Sequence, residues 1–187
     1  MMKLQFIILA FILYACLEKQ DHGQDIVMQT VGVALDSITF GALDSATLNH
    51  VEKYPNRIKK VTLDRFIKDA TNLSGSQIAL LKTLSNKIQD SVTIVFQDYR
   101  FKHNLIIEDD FQTIEYDSSY FGSINMSNPV IDLEEEIGYY YLALNCFKYN
   151  VDGCSVGYLI YVGKENGKWR VLRTYQLWVG EMMKPLN

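Results

Sequence analysis

Tyr139-Tyr140-Tyr141-Leu142-Ala143-Leu144-Asn145-Cys146 and, a short gap later, Val156-Gly157-Tyr158-Leu159-Ile160-Tyr161-Val162-Gly163-Lys164-Glu165-Asn166-Gly167-Lys168-Trp169-Arg170-Val171 carry the reading that decides the fold. Asn166-Gly167 between two β-rich runs is the strongest short-range signal for a hairpin with a type I′ turn, because both central residues of that turn need positive φ. A two-residue loop sets Glu165 opposite Lys168, hence Val162 opposite Val171 and Ile160 opposite Arg173. A second hairpin follows if Cys146 and Cys154 sit opposite each other across a loop near 150–153. Leu144 then faces Val156, Leu142 faces Tyr158 and Tyr140 faces Ile160. The two registers agree on the strand they share.

One face of this sheet then holds Tyr140, Leu142, Leu144, Cys146, Cys154, Val156, Tyr158, Ile160, Val162, Trp169, Val171, Tyr175, Leu177 and Val179, interrupted only by Arg173. The other is mixed and aromatic. Its Tyr139, Tyr141, Tyr161 and Trp178 form the candidate binding surface, since such side chains offer large apolar area with polar tips. The plainer alternative is that residues 26–60 cover this face and make it core.

Helical signals precede the sheet. Thr62 can cap a short helix with Leu63, Phe66, Ile67 and Ala70 at i, i+3, i+4 and i+7. Ser74 and Gln77 form a capping-box pattern opening a helix with Ile78, Leu81, Leu84 and Ile88 along one side. Strands are expected at Val92–Phe96, Leu105–Glu108 and Phe121–Met126. Residues 26–53 are ambiguous: Ile26-Val27-Met28 and Val31 to Phe40 fit strand or helix, and Ala46 to Lys53 reads as a short helix ending before Pro55. The sum is an α+β domain. Its N-terminal helices should pack on the apolar face of a twisted antiparallel sheet of about five or six strands, ending in two consecutive hairpins.

The first residues supply an address. Lys3 precedes an apolar run of about ten to twelve residues, the length of a signal h-region and short of the roughly 20 that span a bilayer. Leu13-Tyr14-Ala15-Cys16 then resembles the lipobox of bacterial lipoproteins in its Leu, Ala and Cys, while Tyr14 departs from it. That resemblance implies cleavage before Cys16 and lipidation of its thiol. Acyl chains gaining about 0.8 kcal/mol per buried methylene would tether the chain to an envelope membrane, on its periplasmic or cell-surface side. An ordinary secretory signal is the alternative. The expected layout is a signal over 1–15, a polar tether over 16–25 and one domain over 26–187.

With residues 1–15 removed, 17 Lys and Arg stand against 22 acids, and no basic block suggests nucleic acid. With Cys16 lipidated, Cys146 and Cys154 remain as an even pair in an oxidising compartment. They are expected to form a structural disulfide of about 2 kcal/mol. Asp109-Asp110 and Glu134-Glu135-Glu136 are acid runs without a calcium-loop pattern, and His22, His50 and His103 show no ligand spacing. No nucleophile elbow, phosphate loop or zinc-protease helix occurs. No catalytic residue, metal or cofactor is therefore assigned.

Asn128-Pro129-Val130-Ile131, Tyr139 to Cys146, Cys154, Gly157-Tyr158-Leu159, Lys164 to Trp169 and Leu177-Trp178-Val179 together resemble a family of exported lipoproteins of Bacteroidota. The resemblance covers about a third of the chain and implies a fold rather than an activity. Helices followed by a curved sheet are also similar to cystatin-like and SnoaL-like folds, which host both enzymes and binding modules. The leading expectation is a membrane-tethered module that binds an envelope protein or ligand. The runner-up is a small hydrolase or isomerase with a pocket in an SnoaL-like sheet.

Overall fold

The structure, a computed structural model, describes residues 23, 25–34, 48–52, 60–90, 104–108, 120–146 and 155–180. The lipobox, most of the tether, Val92–Phe96, His103, Asp109-Asp110 and Cys154 lie outside them. Three helices are described: α1 over 25–34, α2 over Lys60–Asp69 and α3 over Gly75–Lys87. The strands are β1 (Leu48–Glu52), β2 (Asn104–Glu108), β3 (Tyr120–Met126), β4 (Val130–Asp132), β5 (Ile137–Cys146), β6 (Val156–Glu165) and β7 (Lys168–Val179). Their order is β2-β1-β3-β5-β6-β7, with β4 pairing the first half of β5. β3 to β7 form the expected antiparallel sheet, and the domain is α+β. β1, where a short helix was expected, is instead a strand running parallel to both β2 and β3. No helix among the described residues is long and apolar enough to cross a membrane.

Both hairpins form. Asn166 (φ 52°) and Gly167 (φ 75°) take the two positive φ values of a type I′ turn. Glu165 faces Lys168 and Val162 faces Val171, as read from the sequence. The β5–β6 register is also the expected one: Tyr140 faces Ile160, Leu142 faces Tyr158 and Leu144 faces Val156. Cys146 ends β5 opposite Gly122.

Beyond Val171 the extrapolated register fails, because β7 is irregular twice. One shift falls between Tyr161 and Val162, the other between Gly157 and Tyr158. Ile160 therefore faces Thr174 rather than Arg173, and Tyr158 faces Gln176. Each extra residue reverses the alternation of everything after it. Arg173 and Tyr175 thus join the rows of Tyr161 and Leu159, on the aromatic face.

The sheet is buried on both sides, but by the helices in the opposite arrangement from that expected. α1 lies on the aliphatic face. Its Ile26, Val27, Val31 and Ala34 form one cluster with Tyr140, Leu142, Leu144, Val156, Ile160, Val162 and Trp169. These positions in α1, with buried Thr30, trace a single helical stripe. α2 and α3 lie on the aromatic face, where Leu63, Leu80, Leu81, Leu84 and Ile88 pack with Tyr139, Tyr141, Ala143 and Leu159. The run from Tyr139 to Leu144 has no polar alternation because both its sides are core, the pattern of a strand buried between two layers.

Local chemistry fixes the helix ends. The capping box at Ser74 is complete: Gln77 N–H donates to Ser74 Oγ (3.2 Å), and Ser74 N–H donates to Gln77 Oε1 (2.9 Å). α2 begins at Lys60, two residues before Thr62. Lys60 Nζ reaches Asp64 (3.3 Å), Ser85 Oγ (2.5 Å) and the Ser85 carbonyl oxygen (3.1 Å). A cation from the start of α2 thus caps a carbonyl in the last turn of α3 and ties the two helices together.

Candidate functional site

The four aromatics read from the sequence are brought together, but not as an open surface. Tyr139 and Tyr141 are fully buried under α2 and α3, while Tyr161 and Trp178 are half-buried. Of the described residues in 26–60, those of α1 pack on the opposite, aliphatic face. Tyr139 and Tyr161 stack at 4.8 Å between centroids. Trp178 Nε1 donates to Tyr141 Oη at 2.6 Å. This last contact needs Gly157: a Cβ there would lie 2.0 Å from Trp178 Nε1 and 2.6 Å from Tyr141 Oη. The absent side chain is what lets the indole lie flat on β6. As a binding surface Tyr139 and Tyr141 are corrected to core, because two helices supply the apolar area they need.

What this face leaves accessible is at its rim. A groove of about 270 Å³ runs between α2 and β7, lined by Thr62, Arg65, Phe66, Asp69, Ala70, Gln176 and Leu177. Phe66 stands 5.0 Å from the Tyr175 ring, and the Arg173 guanidinium lies 4.9 Å from the centroid of the same ring, a cation–π distance. The groove therefore has an apolar wall in Phe66 and Leu177, with Arg65, Asp69, Thr62 and Gln176 as polar groups around it. Sequence reasoning missed it, because the register shifts that bring this part of β7 onto the helix side are not visible in a hairpin extrapolation. Arg173 was the one available signal. A lone charge in an otherwise apolar alternation marks the point where the alternation had already switched.

Deeper in the face, polar groups lie without partners. Asn125 is fully buried and neither its Oδ1 nor its Nδ2 is hydrogen-bonded. Asn145 Nδ2 and Tyr139 Oη are likewise unpartnered. Burial raises the Tyr139 hydroxyl above its usual pKa, helped by the neighbouring Tyr175 and Tyr161 hydroxyls and opposed by the Gln77 side chain, which lies near it without completing a well-formed hydrogen bond. Ser127 shows the contrast, since its Oγ accepts the Tyr141 N–H at 2.9 Å. Asn125 and Ser127 are both fully buried, beside the apolar Ile124 and Met126.

Two other clusters are structural. Lys60, Asp64 and Ser85 combine residue types that serve nucleophilic catalysis, and Ser85 Oγ donates to Asp64. Yet Ser85 is only 1% exposed, and Lys60 is engaged with Asp64 and the Ser85 carbonyl oxygen rather than open to a substrate. The hydrogen bond from Ser85, with Lys60 beside it, holds the Asp64 carboxyl below its usual pKa against the opposing effect of burial. Glu134, Glu135 and Glu136 occupy an exposed turn in which Asp132 Oδ1 accepts the N–H groups of Glu134 (3.0 Å) and Glu135 (3.1 Å). Glu136 pairs with Lys164 at 3.3 Å. Among the residues with described side chains, no three His, Cys, Asp or Glu groups converge as a metal site.

No family model matches this chain, and neither a curated protein nor a solved structure shows a significant likeness to it.

Proposed function

We propose that the protein is an exported, lipid-anchored module that binds an envelope ligand or partner through the groove between α2 and β7. The observation that carries the binding half is the groove itself. It places an apolar wall, Phe66 and Leu177, beside the oppositely charged Arg65 and Asp69 at the edge of an otherwise filled face. Such a mixture of apolar area and a few polar groups is the usual composition of a ligand site. A ligand with an apolar body and a polar end fits that lining. The anchoring half rests on Lys3, the apolar run and Leu13-Tyr14-Ala15-Cys16. The burial of Tyr139 and Tyr141 beneath α2 and α3 supports the binding reading over the enzyme.

Two experiments separate the halves. A Cys16→Ala variant should leave the membrane fraction, and unchanged association with membranes would remove the lipoprotein reading. Affinity capture from the native envelope with the lipidated protein should recover a ligand that a folded Arg65→Glu, Phe66→Ala variant no longer retains. Equal recovery by both proteins would move the site elsewhere.

A further inference from the structure

The groove beside β7 reaches round the strand's edge. Gln176 faces Tyr158, which packs on the α1 side of the sheet, whereas Leu177 packs on the side of α2 and α3. These two neighbours point to opposite faces, yet both line the groove. A hollow lined by both runs past the backbone edge that joins them. β7 is the terminal strand of the sheet, and no described strand pairs with its outer side. Alternate residues of such an edge direct N–H and C=O groups away from the sheet, a template for an added strand. Between its two irregularities β7 keeps a regular register over 173–176, so a docked segment of about four to six residues fits, an ordinary strand length.

We propose, building on the groove reading above, that β7 and α2 together take an extended, acidic peptide segment of a partner protein as an added strand. Its backbone pairs with the β7 edge, and one of its apolar side chains lies against Phe66 and Leu177. Main-chain hydrogen bonds supply affinity in this mode of recognition, and alternate side chains supply specificity. The charge preference comes from β7 itself. Its 12 residues include Lys168, Arg170 and Arg173 and no acid, although the whole chain has a net charge of −4. Arg170 and Arg173 are exposed, and Arg65 of α2 adds a cation across the groove. Asp69 is the one acid in the lining. The same cations argue against a second copy of this chain as the occupant, since two β7 edges would bring like charges together.

The test uses the full chain in detergent and, as probe, a fluorescein-labelled octapeptide alternating glutamate and valine, followed by anisotropy. Saturable binding at one peptide per chain is expected, weakening with salt. Two further peptides carry N-methyl groups on the odd or on the even residues. One set should abolish binding and the other spare it, because only alternate N–H groups of an added strand face β7. A folded Arg170→Glu, Arg173→Glu variant should lose about tenfold or more in affinity for the glutamate peptide and gain affinity for its lysine counterpart. No binding of any alternating peptide would overturn the proposal and leave the cations as guards against aggregation. So would equal affinity for the glutamate and lysine peptides, or a chain that sediments as a dimer paired through β7. Binding lost in the Arg65→Glu, Phe66→Ala variant but indifferent to both N-methyl sets would overturn strand addition while the groove reading stood. Strand-like binding unchanged in that variant would overturn the groove reading, and this proposal with it.

Discussion

The two faces of the sheet are packed by different rules, and adjacent residues of one strand show it. On the α1 face the polar groups that enter are paired. Thr30 Oγ1 donates to the Ile26 carbonyl at 2.5 Å and hydrogen-bonds Tyr140 Oη at 3.2 Å, while Gln29 Oε1 accepts the Trp169 N–H at 2.8 Å. On the α2–α3 face, one residue away, Tyr139 Oη has no partner, and both polar atoms of Asn125 and the Nδ2 of Asn145 share that condition. The first face behaves as scaffold, with polarity spent only where it locks a helix to the sheet. The second carries unpaired interior polarity and a groove at its rim. Function is to be sought on the second.

The largest expected effect tests whether the faces nevertheless belong to one cooperative core. Leu142 on the α1 side and Leu159 on the other are both fully buried. Truncation of either to Ala should cost about 2–5 kcal/mol, from lost transfer energy and the cavity left behind. Chemical denaturation should show a single transition at a lower midpoint in both variants. A variant that lost only part of its signal in a separate early step would show that one face unfolds by itself, and the comparison would then be between two independent layers.

A smaller effect sharpens the account of the aromatic side. Gly157→Ala places a methyl group on the Trp178 indole, which must leave its seat and give up its bond to Tyr141. The cost should reach the upper end of the about 1–3 kcal/mol typical of overpacking. The tryptophan emission should shift to longer wavelength as Trp178 meets water. A stability and spectrum unchanged from wild type would mean that the indole is not seated on β6.

Much of this architecture was legible because local rules and tertiary packing agree. Asn166-Gly167 demands one turn, Ser74 and Gln77 demand one helix start, and the two hairpin registers check each other over β6. What was not legible depended on events with no local signature. Two irregularities in β7 reverse its alternation, which moved Tyr175 and Leu177 off the face where simple counting had placed them. The assignment of helices to faces was also beyond reach, because a strand such as β5, apolar on both sides, does not say which layer covers which side. β1 was misread as a helix since five residues carry too little periodicity to choose. The candidate site suffered most. The aromatics were found, but their burial by α2 and α3 and the groove beside them are products of tertiary packing.

The smallest effect is the most discriminating, because it compares two neighbouring tyrosines. Tyr140→Phe removes a hydroxyl bonded to Thr30 and strands that threonine's contact, so stability should fall by about 0.5–1.5 kcal/mol. Tyr139→Phe removes a buried hydroxyl that has no partner, so it should be neutral or stabilising by about 1 kcal/mol. The stacking of residue 139 on Tyr161 survives in the phenylalanine. Both hydroxyls titrate above the ordinary value of 10.0, chiefly because burial disfavours the phenolate. The unfolded chain therefore releases these protons first as pH rises. Above pH 10 the unfolded state binds fewer protons than the native one, and stability must fall. Below that pH the contribution is constant. Either phenylalanine variant should flatten the alkaline limb of the stability curve, but only Tyr140→Phe should also lower the plateau at neutral pH. Equal losses for both variants at neutral pH would mean that Tyr139 Oη has a partner after all, and the difference between the faces would shrink to Asn125 and Asn145.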